Sequence, residues 1–331
     1  MHGSRSEGMA IWARGLVKRY GTTVALAGAD FEAPAGTVCA VLGPNGAGKT
    51  TAVRVLTTLT DADEGEARVA GFDVKEAPGE VRRRIGLAAQ DSTVDPILTG
   101  RENLIMLGEL HQLPRRRAAA RADELLEEFS LSDAGRRQVS GYSGGMRRRL
   151  DLAATLVANP EVLFLDEPTT GLDPRARIEL WSVLDGLVDR GTTVLLTTQY
   201  LDEAERLAHD ILVVDHGRVI ARGDARSLKR QVGGETVHAV LVDAARLDDA
   251  ARVFAAVTGA EPTLDRPNRA VTAPARSGVD AVVGVAQALR DEGIAVDDLG
   301  VRHPTLDEVF LTLTGARTEP AEAAEPAEVR P

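Results

Sequence analysis

Four short, nearly unbroken apolar runs mark the first two thirds of the chain, at residues 37–42, 162–166, 192–197 and 210–215. Runs without in–out alternation suit strands covered on both faces, as in a parallel sheet between helices. The stretches 48–58, 144–158, 174–189 and 201–208 read as helices instead. Asp173-Pro174 starts the third of them, with an N-cap acceptor followed by proline at the first helical position. The pattern predicts an α/β layered domain over residues 10–232, with an Arg-rich helical subdomain at about 92–158.

The pattern changes at Gly233-Gly234. Residues 235–243 alternate like a half-exposed strand, and 246–258 follow as a helix. Short strands at 261–265 and 269–273 flank the turn-like Arg266-Pro267-Asn268, a second helix covers 279–292, and a last strand covers 294–302. The order β-α-β-β-α-β predicts a small α+β domain of ferredoxin-like type over residues 235–315. Residues 316–331 are Pro, Glu and Ala with almost no apolar bulk, and read as a disordered tail. Residues 1–9 read as a short disordered lead without a signal-peptide core.

Composition narrows the setting. Hydrophobic residues make up 44% of the chain and aromatics only 3%, so the cores must be built from Ala, Val, Leu and Ile. The net charge of −11 argues against a basic nucleic-acid-binding face. The single cysteine, Cys39, lies inside an apolar run; it excludes a disulfide framework and reads as a small buried hydrophobe in a reducing compartment. No stretch approaches the roughly 20 apolar residues needed to span a bilayer, so any membrane role is expected to pass through a partner.

The chemistry is concentrated in a few segments. Gly43-Pro44-Asn45-Gly46-Ala47-Gly48-Lys49-Thr50 fits G-x-x-x-x-G-K-[ST] between an apolar strand and a helix, the pattern of a phosphate-binding loop. Glycines let successive backbone N–H groups turn inward around a phosphate, and the helix adds its positive N-terminal end. Lys49 is then expected on the β- and γ-phosphates and the Thr50 hydroxyl on Mg²⁺, with Thr51 beside it as a nucleotide-binding position. Only Lys18, Lys49, Lys75 and Lys229 are lysines among 39 basic residues, so a chain that otherwise uses arginine keeps a compact ammonium here. A second apolar strand ends in Asp166-Glu167, acids at the carboxyl end of a parallel strand where ligands bind. Asp166 is expected to hold Mg²⁺ through water, and Glu167 to polarise an attacking water.

Tyr142-Ser143-Gly144-Gly145-Met146-Arg147 resembles the signature loop of ATP-binding-cassette (ABC) ATPases, and further family landmarks follow in order over residues 10–230. The resemblance implies that Tyr20 stacks on adenine and that Gln90 is the loop glutamine sensing Mg²⁺ and a membrane partner. It also implies that Gly171-Leu172-Asp173-Pro174 is the D-loop, with Asp173 also a helix cap. Ser143, Gly144 and Gly145 are then expected to face the ATP of a second copy, making a homodimer. One landmark departs: Gln199 stands where the family carries a switch histidine. Glutamine can donate a hydrogen bond to a γ-phosphate but carries no charge, so the site is either degenerate or uses glutamine as a working substitute; the intact Glu167 and signature favour the substitute. The Arg147-Arg148-Arg149 run reads as a solvated helix flank, and Arg115-Arg116-Arg117 receives no function.

The Gln199 segment, with Pro304-Thr305-Leu306-Asp307-Glu308-Val309-Phe310-Leu311, resembles the daunorubicin-resistance type of drug-export ATPase. In that helix Leu306, Val309, Phe310 and Leu313 form an apolar stripe. The resemblance implies an ATP-hydrolysing subunit using ATP and Mg²⁺ at the cytoplasmic face of the cell membrane. It would work as a homodimer beneath a separate integral membrane permease contacting the face near Gln90 and residues 94–102, with no nucleic-acid partner. An exporter of lipid or polysaccharide is the rival within the class. A soluble ABC ATPase acting on ribosomes or DNA is the rival outside it, disfavoured by one phosphate loop, no sustained heptads and the acidic balance.

Overall fold

The computed structural model describes residues 8–89, 93–232, 234–275 and 277–314, and the elements named here belong to those residues. The lead expected at residues 1–9 and the tail expected at 316–331 fall outside them apart from Gly8 and Met9. Two compact units divide the chain between Ala225 and Arg226, ahead of the sequence boundary at residues 232–235.

The first unit opens with a long hairpin, β1 (Met9–Tyr20) and β2 (Thr23–Pro34). Met9 already pairs with Pro34, so strand replaces the expected lead there. β3 (Val38–Leu42) is buried at every position and runs into the glycine loop and α1 (Lys49–Leu56). β4 (Glu64–Val69), β5 (Phe72–Asp73), α2 (Pro78–Arg82) and β6 (Ile85–Ala88) follow. The helical subdomain contains α3 (Gly100–Leu110), α4 (Arg115–Glu128) and α5 (Gly144–Thr155). Thr99 and Glu102 form a reciprocal capping box at the start of α3. The chain then returns through β7 (Val162–Asp166), α6 (Pro174–Asp189), β8 (Thr193–Thr198), α7 (Leu201–Leu207), β9 (Asp210–Asp215) and β10 (Arg218–Gly223).

These strands form two sheets. One is antiparallel, in the order β2-β1-β4-β5; the other has the order β10-β9-β3-β8-β7-β6, parallel except at the β10 edge. A core of Leu26, Phe31, Val41, Leu56, Val69, Phe164, Leu195 and Leu212 joins the sheets around α1. Burying a side chain the size of Phe164 contributes about 1.5–3 kcal/mol. The parallel order brings the ends of β3, β8 and β7 side by side, with Leu42 opposite Thr198 and Thr197 opposite Asp166. Carboxyl ends of adjacent parallel strands form the crevice in which such folds bind ligands.

The second unit, by itself, begins in α8 (Ala225–Val232) and continues as β11 (Thr236–Leu241), α9 (Leu247–Thr258), β12 (Thr263–Asp265), β13 (Ala270–Pro274), α10 (Gly278–Asp291), β14 (Val296–Arg302) and α11 (Leu306–Thr314). Its sheet has the order β12-β13-β11-β14, and every neighbouring pair is antiparallel. Phe254 of α9 and Val285 and Leu289 of α10 close the core over Val237, Ala239, Val271 and Ala273. Thr305 and Glu308 cap α11 reciprocally, and Leu306 and Val309 are buried.

Candidate functional site

The glycine loop is shaped by what surrounds it. A Cβ on Gly43 would stand 2.4 Å from the Val214 carbonyl oxygen. One on Gly48 would stand 2.3 Å from that of Ala25, and Gly48 also has φ +105°, which side chains rarely adopt. β2 and β9 therefore press on the loop from opposite ends and leave room only for glycine. Gly48 is the N-cap of α1, so the first helical N–H groups remain available to a ligand.

Lys49, the first residue of α1, is largely buried. Its ammonium donates to the carbonyls of Gly43 at 2.8 Å and Pro44 at 3.1 Å and lies 3.5 Å from Glu167 Oε1. Beside it, Asp166 Oδ1 accepts from Thr50 Oγ1 at 3.3 Å and from Thr197 Oγ1 at 2.5 Å. A buried carboxylate and a threonine hydroxyl converging on one point suit a hard cation such as Mg²⁺, which takes few protein ligands when nucleotide phosphates supply others. Among the described residues no group of three or more His, Cys, Asp or Glu side chains forms a metal cage.

Glu167 has φ +49° although it is not glycine, a conformation that costs on the order of 1–3 kcal/mol and persists only where neighbours hold it. Its N–H donates to both the carbonyl and the hydroxyl of Thr197, each at 3.1 Å. Its carbonyl accepts from Arg148 at 3.2 Å. The Arg147-Arg148-Arg149 run is therefore not a solvated flank: Arg148 also donates to the carbonyls of Ala89, Pro168 and Asp166. Burial pulls its pKa down, while the carboxylates of Asp151, Asp166 and Glu203 oppose that shift.

The other expected residues lie outside this contact network. Tyr20 ends β1, about half exposed, with the Lys18 ammonium 5.7 Å from its ring. Ser143 caps α5 by accepting from the Met146 N–H at 3.3 Å, and it and Gly144 are exposed. Asp173 caps α6, accepting from Ala176 at 2.9 Å, so the cap expected there is present. Gln199 is exposed just beyond β8. Among the described residues, no hydrogen bond or ion pair joins Tyr20, Ser143, Asp173 or Gln199 to the Lys49–Asp166–Glu167 cluster. Gln90 lies outside the described residues. Sequence reading missed Thr197 and Arg148; the first was hidden inside an apolar strand, the second inside a charge run.

The ABC transporter family profile matches residues 26–170, covering the glycine loop through Asp166-Glu167. A daunorubicin resistance ATP-binding protein, DrrA2, of Streptomyces coeruleorubidus is 54% identical over 97% of this chain and all of its own length. The daunorubicin/doxorubicin resistance ATP-binding protein DrrA of Streptomyces peucetius is 47% identical, covering 96% of each chain. A solved ATP-binding subunit of an ABC transporter superposes with TM-score 0.62 at 26% identity, over 67% of this chain and 92% of its own. An ATP-binding cassette solved in its ADP conformation gives TM-score 0.62 at 25% identity, over 68% and 94%. With near-complete mutual coverage at such identity, the chain belongs to the ABC family of nucleotide-binding ATPases, in the DrrA-like group of resistance ATP-binding proteins.

Proposed function

We propose that this ATPase powers export of a hydrophobic drug or antibiotic through a separate membrane permease. The observation that carries the ATPase mechanism is the cluster in which Lys49 faces Glu167 beside the Thr50–Asp166–Thr197 group. Export of a drug is supported by the resistance proteins matched along nearly their whole length.

In this reading the loop amides and Lys49 grip the β- and γ-phosphates of ATP, and Tyr20 stacks on adenine. Thr50 and Asp166, with Gln90, hold Mg²⁺, which when bound neutralises phosphate charge. Glu167 orients and polarises the attacking water, and Gln199 donates to the γ-phosphate oxygen. Ser143, Gly144 and the start of α5 complete the site of a second copy, with Asp173 beside them, because helix N-terminal amides favour the negative phosphate. Hydrolysis then removes charge that held the two copies together and releases the closed pair.

Among the described residues no helix is long and apolar enough to cross a membrane, so we place the chain at the cytoplasmic membrane face through its permease. We further read the second unit as a ferredoxin-like module, on the strength of its antiparallel β12-β13-β11-β14 order. A second reading, export of a compound of the Nod-factor kind, is favoured by the Nod factor export ATP-binding protein I of Burkholderia thailandensis. That protein is 42% identical over 72% of this chain and 79% of its own length.

Coexpression with the membrane protein encoded beside it, followed by ATPase measurement in lipid, tests the proposal. Copurification and stimulation by an anthracycline-like drug are expected. Stimulation by a Nod factor instead would favour the second reading, and no membrane protein together with copurifying RNA would remove both.

A further inference from the structure

Arg148 and Asp151 stand one turn apart on α5, and between them they bond to the backbone of Ala89, Thr93 and Val94. Arg148 Nη1 donates to the carbonyl of Ala89 at 2.9 Å. Asp151, itself buried, accepts from the N–H groups of Thr93 at 2.8 Å and Val94 at 3.3 Å. The same guanidinium reaches the opposite wall of the site, where Nε donates to Pro168 at 3.0 Å and Nη2 to Glu167 at 3.2 Å and Asp166 at 3.4 Å. One planar, rigid cation thus joins the end of β6, the signature helix and the backbone of Glu167.

The Glu167 conformation makes this joint consequential. Its left-handed backbone is held on the N–H side by Thr197 and on the carbonyl side by Arg148. A cavity of about 380 Å³ bordered by Gly144, Arg148, Asp151, Glu167 and Thr170 lies alongside, so this wall is not packed solid. Moving α5 or Ala89 displaces the guanidinium, and with it one of the two restraints on a strained residue. Lysine cannot substitute, because an ammonium lacks the fork that serves several carbonyls in fixed directions.

We propose that Arg148 and Asp151 are positioning residues that make the placement of Glu167 depend on α5 and on the backbone at Ala89, Thr93 and Val94. The proposal rests on Glu167 acting on the attacking water. Coupling of this kind alters the chemical step and not the grip on nucleotide, since neither side chain contacts the glycine loop.

The test is ATP affinity, kcat and Tm of the full-length chain carrying Arg148→Gln, Arg148→Lys, Asp151→Asn and the double change Arg148→Gln/Asp151→Asn. Misplacing a reacting group by about 1 Å costs up to about 100-fold. Arg148→Gln is therefore expected to lower kcat about tenfold or more with ATP affinity within about twofold of wild type, and Arg148→Lys is expected not to rescue it. Asp151→Asn lowers kcat less, and the double variant falls no further than Arg148→Gln alone. If Arg148→Gln does not fold, the kcat of Asp151→Asn at unchanged affinity decides. Wild-type kcat in the variants, full rescue by lysine, or affinity and Tm falling in step with kcat would each overturn the proposal. Glu167→Gln separates the two layers: if it blocks turnover while the Arg148 and Asp151 variants do not, only the coupling fails. If Glu167→Gln itself turns over normally, the reading of Glu167 fails.

Discussion

The ammonium of Lys49 stands 3.5 Å from the carboxylate of Glu167 and donates to the carbonyls of Gly43 and Pro44. Two of its three donor directions are thus spent on loop carbonyls. In the proposed mechanism a nucleotide entering the loop would offer phosphate oxygens in their place, freeing the Glu167 carboxylate to turn to water.

Lys49→Ala is expected to weaken ATP binding by about 10–100-fold, the equivalent of losing about 1.5–3 kcal/mol of charged hydrogen bonding. Equilibrium binding of a fluorescent ATP analogue measures it. Affinity equal to wild type would show that the loop grips something other than the β- and γ-phosphates.

Glu167→Gln keeps the shape of the side chain and removes its basicity. Turnover is expected to fall about 100-fold or more, within the usual range for a lost general base, while ATP binding persists and the ATP-loaded dimer accumulates. Phosphate release and size-exclusion chromatography with ATP give the two readouts; normal turnover would take Glu167 out of the base role.

Gln199→Ala is expected to lower turnover about tenfold, the worth of one hydrogen bond of about 1.4 kcal/mol to a charged group. Gln199 is exposed, so its truncation leaves the core unchanged, and Tm serves as the control. An unchanged rate would mean that the position is idle.

Glu203, on α7, is buried and accepts from Thr169 Oγ1 at 3.3 Å. Burial pushes its pKa above the ordinary glutamate value. A carboxyl raised in the folded state supports the fold while protonated, at acid pH, and loses that contribution as pH rises through the raised value. Glu203→Gln, uncharged throughout, is therefore expected to raise Tm at neutral pH. That gain is expected to vanish at pH below the ordinary glutamate value; a shift independent of pH would rule out charge as its cause.

Cys39 lies fully buried in β3, where burial pushes its pKa up to about 12. The nucleophile is the thiolate, so the native chain is expected to resist Ellman-type thiol reagents and to react with one equivalent on unfolding. Fast labelling of the folded protein would show that β3 opens.

The sequence by itself determined what neighbours in the chain can determine. The glycine loop needs only consecutive residues between a strand and a helix, and Asp166-Glu167 needs only an apolar strand that ends in acids. The cap at Asp173 is likewise local. Elements whose signal depends on distant pairing were not legible. β1 breaks its alternation at register shifts between Ala13 and Leu16 and again between Lys18 and Arg19, so its apolar positions do not repeat with period two. Only tertiary structure set Thr197 against both Asp166 and Glu167, because that contact follows from β8 lying between β3 and β7. Only it turned Arg148 inward, because the carbonyls that draw the guanidinium belong to Ala89 and to the turn after β7, and such partners leave no mark on the charge run in which the arginine stands.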